Sequence, residues 1–166
     1  MSVKAIIIGP SLSGKTTLVR HLRKNTDLFV AEIDEELTKL NNGDYPTDDK
    51  YKHEVLAPKV IENVLARDEI LFFTNTDYFT VDNLKAARTK GFKIVLLSLN
   101  LNDLIKRNET RVKEEGYSDL SQWLEGMVEY QTKIEKLGLV DIILDASLST
   151  EKIASKLLEI GKRTDA

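Results

Sequence analysis

Residues Gly9 to Thr16 read G-P-S-L-S-G-K-T, the G-x-x-x-x-G-K-[ST] spacing with which a main chain can wrap a phosphate chain. Gly9 and Gly14 admit backbone angles closed to other residues, so the chain through Pro10, Ser11, Leu12 and Ser13 can turn successive N–H groups inward. Lys15 supplies a point charge for the β- and γ-phosphates, and the Thr16 hydroxyl a ligand for Mg²⁺. Thr17 extends the contact into the following helix, whose positive dipole end also favours an anion. The flanking residues support this chemistry. A β-branched run, Val3–Ile8, enters the loop, and the helix-competent Lys15–Leu22 leaves it.

Other candidates follow later apolar runs, where a buried parallel sheet presents its ligands. After the second run come Glu32 and Asp34, which in extended geometry point to one face. A carboxylate there can accept the proton of an attacking hydroxyl or hold a Mg²⁺-bound water. Alternatively, Asp34 caps a short helix. After the third run, Asp77 can assist Mg²⁺, touch an acceptor or form a turn, and Thr74 and Asn75 offer hydrogen bonds. The preceding Asp68–Phe73 resembles a degenerate second nucleotide motif whose acid comes late, at Asp77. After the fourth run, Arg107 and Arg111 lie one helical turn apart, about 6 Å on one face. They can clamp a transferring phosphoryl group or pair with Glu114 and Glu115. The segment 113–120 that follows reads as a short polar flap. His21 and His53 lack a metal-type partner four residues on, and the Trp123–Tyr130 stripe reads as core.

Composition sets the frame. The chain has 166 residues, a net charge of −3 and no cysteine, consistent with one domain that buries its own core and with no disulfide or thiolate site. Nothing in the charge favours nucleic acid or an anionic membrane. The apolar runs are strand-sized, so no membrane span is expected, and a cytoplasmic location fits.

Five apolar runs, Val3–Ile8, Leu28–Ile33, Ile70–Thr74, Phe92–Leu99 and Val140–Leu144, alternate with amphipathic stretches. That alternation predicts an α/β fold, a five-stranded parallel sheet with helices on both faces. Helices are expected at Lys15–Asn25, Asp34–Leu40, Asp49–Arg67 with a kink or break at Pro58, Thr80–Lys90, Asn102–Glu115, Ser118–Leu137 and Ser149–Ile160.

With phosphate loop, acidic residue, paired arginines and flap in this order, the chain resembles the small P-loop kinases, which include adenylate, shikimate and gluconate kinases. The resemblance spans Val3 to Ile160. It implies a P-loop NTPase fold with strand order 2-3-1-4-5, ATP and Mg²⁺ as donor and cofactor, an acceptor-binding segment around 34–67 and a lid around 107–120. Glu32-x-Asp34 is similar to the acidic pair of the shikimate kinase type, and Arg107 and Arg111 to the arginines flanking adenylate kinase lids. No GTPase-type base-reading signature is present, which favours ATP.

Monophosphates are usually gripped by arginine. None occurs between Arg23 and Arg67, and Glu32–Asp49 holds seven acids against Lys39 alone. Lys50, Lys52 and Arg67 can offset this only if the fold turns them into the cleft. The expected activity is therefore phosphoryl transfer from ATP to a small hydroxylated acceptor such as a nucleoside or sugar, by a monomer or homodimer. The alternatives are a nucleoside monophosphate kinase and an ATP-binding regulator without transfer activity.

Overall fold

The computed structural model describes residues 3–164. Five strands, β1 (Lys4–Ile8), β2 (Val30–Glu32), β3 (Ile70–Thr74), β4 (Lys93–Ser98) and β5 (Ile142–Asp145), form one parallel sheet in the order β2-β3-β1-β4-β5. Both the α/β class and the strand order agree with the sequence reading. The register sets Ile6 beside Phe72 and Ile94, and Ile7 beside Phe73 and Val95.

Alternation along the strands divides the apolar side chains between two layers. Ala5, Ile7, Phe73, Val95 and Leu97 pack against Leu18, Val19 and Leu22 of α1 (Lys15–Asn25), Leu124 of α7 (Leu124–Lys136) and Leu157 of α8 (Thr150–Thr164). Ile6, Ile8, Phe72, Ile94 and Leu96 pack against Leu37 of α2 (Ile33–Leu40), Val60 and Ile61 of α4 (Ala57–Leu65) and Leu84 of α5 (Val81–Thr89). With both faces covered, β1 and β3 need continuous apolar sequence rather than an alternating pattern.

Several element boundaries differ from the sequence expectation. β2 is only three residues long, because Ile33 leaves the strand to begin α2 directly. The stretch expected as one helix from Asp49 to Arg67 comprises α3 (Asp49–Tyr51), a π turn (Lys52–Leu56) and α4. Pro58 accounts for this break. In an α-helix its ring would clash with the carbonyl of residue 54, which would also lack a donor. The wider turn, in which the Ala57 N–H reaches the Lys52 carbonyl, relieves both problems.

α6 (Leu101–Glu115) starts at Asn100, whose side chain accepts from the Asp103 N–H. The helix expected over 118–137 begins as a 3-10 turn, Ser121–Trp123, and becomes α-helical at Leu124. The change of period rotates Trp123 off the buried stripe, leaving it 59% exposed. Trp123 is therefore not a core residue. Met127 and Ile134 remain buried on that stripe.

Ile7 lies at the centre of the sheet and is fully buried. Ile7→Ala should lower the unfolding free energy by about 3 kcal/mol in urea denaturation. A loss below about 1 kcal/mol would contradict the packing described.

Candidate functional site: a phosphate loop facing an acidic cleft

The sequence Gly9–Thr16 lies between the end of β1 and the start of α1, and it is fixed from several directions. The Gly9 N–H donates to the Thr74 carbonyl at 3.1 Å, tying the loop to β3. A side chain at Gly9 would put its Cβ 2.5 Å from Ser13 Oγ and 3.1 Å from Leu97 Cβ. Gly14 has φ 84°, a left-handed conformation that turns the chain into α1.

The loop carbonyls are held by cations. Lys15 Nζ donates to Gly9 O at 2.7 Å and Pro10 O at 2.8 Å. Arg107 donates from Nη1 to Leu12 O at 2.8 Å and from Nη2 to Ala146 O at 3.0 Å. Arg111 Nη1 donates to Ser11 O at 3.3 Å, and its guanidinium lies 4.1 Å from the Tyr117 ring centre. Ser13 closes the turn by donating through its N–H and hydroxyl to Pro10 O. α1 has no side-chain cap and no acid in its first turn. These features fit a phosphate chain, since the carbonyls are engaged by cations and the uncapped helix end carries a positive dipole.

The loop opens on a cleft of about 980 Å³, lined by Lys15, Thr16, Thr17 and Arg20 from α1, Arg107 and Arg111 from α6, and Glu32 and Asp34 opposite. Glu32 ends β2 in extended conformation and occupies the N-cap position of α2 without a side-chain cap bond. Asp34 lies in the first turn of α2 and is not its N-cap. Burial raises the Asp34 carboxyl above the usual carboxylate range, opposed by Lys15. Burial and the neighbouring Asp34 raise Glu32 likewise. Burial pushes Lys15 down to about 7 against the attraction of Asp34, Glu32 and Asp77.

Asp77 is not part of the cleft lining, though it lies near enough to Lys15 to counter its burial, and its Oδ2 is 3.3 Å from His53 Nε2. His53 stacks on Tyr78 with ring centres 4.9 Å apart and planes within 6°. Among the described residues no three His, Cys, Asp or Glu side chains gather into a metal-binding group. Thr16 and Glu32 nevertheless open on the same cleft, and Mg²⁺ bound with phosphates needs only one or two protein oxygens. The donor set fits that ion.

Sequence reasoning passed over His53 and missed Tyr45 and Tyr78. The available signal was Pro58, whose π turn brings Lys52 and His53 to the same Tyr78 ring. Much of the expected lid, 107–115, is the second half of α6. The irregular part is 116–120, anchored where buried Asn108 donates to Asp119 Oδ1 and accepts from the Leu120 N–H.

No protein-family model matches the chain, and no curated protein matches its sequence. Solved structures do. A shikimate kinase from Aquifex aeolicus superposes with a TM-score of 0.73 at 15% identity, covering 98% of this chain and 98% of that one. A shikimate kinase from Acinetobacter baumannii, in complex with shikimate, gives 0.72 at 14%, covering 99% and 95%. A gluconokinase from Sinorhizobium meliloti gives 0.60 at 17%, covering 97% and 93%. The fold is that of the small P-loop kinases. Among the described residues no helix is long and apolar enough to cross a membrane.

The buried lysine makes stability depend on pH in a defined sense. The folded chain releases the Lys15 proton near pH 7, whereas the unfolded chain holds it to its ordinary 10.5. Below pH 7 both states are protonated and the cost of burying the charge is felt in full. Between 7 and 10.5 the unfolded state binds more protons, so stability rises with pH. Relative to wild type, the thermal midpoint of Lys15→Met should therefore be higher at pH 6 than at pH 10, whatever the loss of the bonds to Gly9 O and Pro10 O costs at both. A difference from wild type that is independent of pH would contradict the assigned burial.

Proposed function

We propose that this chain is an ATP-dependent phosphotransferase that moves the γ-phosphoryl group of ATP to the hydroxyl of a small, unphosphorylated acceptor. The observation that carries this reading is the opening of the cationic phosphate loop and the Asp34 carboxylate on one cleft. The donor triphosphate lies along the loop and the start of α1. With nucleotide bound, Lys15 would turn from the Gly9 and Pro10 carbonyls to the β- and γ-oxygens, and Thr16 with Glu32 or Asp77 would hold Mg²⁺. When bound, that ion neutralises charge on the transferring phosphates.

Asp34 aligns the acceptor hydroxyl and accepts its proton. The acceptor oxygen bonds to the γ-phosphorus as the bond to the bridging oxygen of ADP breaks, and the proton leaves through Asp34 to water. Burial raises the carboxyl from its ordinary value, making it a better base than an exposed aspartate. Arg111, which lines the cleft beside the loop, would meet charge on the phosphoryl oxygens. Arg107, with both Nη groups on main-chain carbonyls, serves by keeping the loop in shape. Residues 34–67 take the acceptor, and 107–120 with Tyr117 cover the donor.

The acceptor is read as non-phosphorylated because the basic residues near its segment are engaged elsewhere. Arg23 forms a two-pronged pair with Glu35 at 2.9 and 2.6 Å. Arg67 lies 3.6 Å over the Phe29 ring. Lys52 turns inward but pairs with Asp49 at 3.2 Å. A dianion entering beside Glu32, Asp34 and Asp77 would meet repulsion without an arginine fork. A neutral or cationic hydroxyl compound would not.

The test is a thermal-shift screen of Mg-ATP with nucleosides, sugars and nucleotides, followed by transfer assays on the hits. Lys15→Ala should abolish transfer. Asp34→Asn should lower kcat by about 10²- to 10³-fold while Mg-ATP still stabilises the protein. Unchanged turnover in Asp34→Asn would remove it from the mechanism, and stabilisation by a nucleoside monophosphate alone would overturn the acceptor assignment.

A further inference from the structure

Two acceptor-side residues have no part in the mechanism above, yet they are connected to its proposed base. Lys52 has a side chain only 14% exposed. Its Nζ donates to the Tyr45 hydroxyl at 3.3 Å and lies 5.4 Å from the Tyr45 ring centre and 5.8 Å from that of Tyr78. The Tyr45 hydroxyl donates to Asp34 Oδ1 at 3.4 Å. The direction of this chain is fixed by its members. An ammonium can only donate, and a phenol has one proton, so Tyr45 accepts from Lys52 and spends its proton on Asp34. A cation donating to the phenol oxygen polarises it and strengthens the second bond.

Local structure holds each link. Asn42 at φ 57° and Gly43 at φ 95° turn the chain out of α2, and the Gly43 N–H donates to the Thr38 carbonyl at 2.9 Å. Asn41 Nδ2 donates to Asp44 O at 2.8 Å, fixing the residue before Tyr45. On the other side, Asp48 caps α3 by accepting from the Tyr51 N–H at 3.1 Å. The π turn set by Pro58 begins at Lys52, where the pairing with Asp49 fixes the ammonium.

We propose that Tyr45 and Lys52 are positioning residues for Asp34. Lys52 holds the Tyr45 phenol, and Tyr45 holds Oδ1, so that Oδ2 is presented to the acceptor hydroxyl. The inference rests on the kinase reading for its catalytic consequence, while the coupling between Tyr45 and Asp34 is a property of the folded chain alone. It makes 41–52 a strap that couples the shape of the acceptor site to the orientation of the base. An acceptor that displaces Tyr45 would lose alignment as well as contact.

Tyr45→Phe is the discriminating variant, because it keeps the ring and deletes only the hydroxyl. In a urea-denaturation cycle, Tyr45→Phe and Asp34→Ala should be non-additive, since each deletes one partner of the same hydrogen bond. In steady-state kinetics Tyr45→Phe should lower kcat about tenfold with KM for ATP unchanged, the signature of a misaligned base. Lys52→Met should lower kcat in the same sense, and Lys52→Arg, which retains a donor to the phenol, should restore most of it. Additive denaturation effects, or a Tyr45→Phe enzyme with wild-type kcat, would overturn the proposal. A wild-type protein that transfers phosphate to nothing on the acceptor panel would count against the kinase reading instead. The denaturation cycle would still decide whether Tyr45 holds Asp34.

Discussion

The contacts between the loop carbonyls and three cations organise the site. Gly9, Pro10, Ser11 and Leu12 would, as an isolated turn, leave their carbonyls to water. Here Lys15, Arg107 and Arg111 take them up, so α6 and the segment after β5 brace a loop that belongs to β1 and α1. The same cations supply positive charge around the cleft. Shape and charge are thus set together, and Arg107 links both to the sheet edge through Ala146.

The cleft is electrostatically two-sided. Lys15, Arg20 and Arg111 line the cleft beside the loop, Glu32 and Asp34 share that lining, and Asp77 lies near enough to Lys15 to counter its burial. Each side perturbs the other, for the acids counter the downward push on Lys15 while Lys15 counters the upward push on Asp34. Polyphosphate on one side and an uncharged or basic acceptor on the other fit that asymmetry. The parallel sheet makes it possible by delivering the ends of β1, β2 and β3 to one rim.

The loop half of the cleft was legible in the sequence because its geometry is local. Eight consecutive residues define the loop, and continuous apolar runs announce a sheet buried on both faces. Arg107 and Arg111 were recognisable as a pair, but not that their guanidinium groups would reach Leu12 and Ser11, since those contacts cross about a hundred residues of chain. The acceptor half was less legible. Tyr45 meets Asp34 across a turn in which Asn42 and Gly43 adopt left-handed angles, and Lys52 and His53 meet Tyr78 from a π turn that spacing alone does not announce. Trp123 misled for a related reason, as a change from 3-10 to α geometry moved it off a stripe that spacing alone had made continuous.

The decisive measurement is transfer of a γ-phosphate label from Mg-ATP to a panel of nucleosides, sugars, amino alcohols and nucleoside monophosphates. Label should reach an unphosphorylated hydroxyl compound, and its transfer should depend on Lys15. Label released only as inorganic phosphate, or carried only by a monophosphate acceptor, would contradict it.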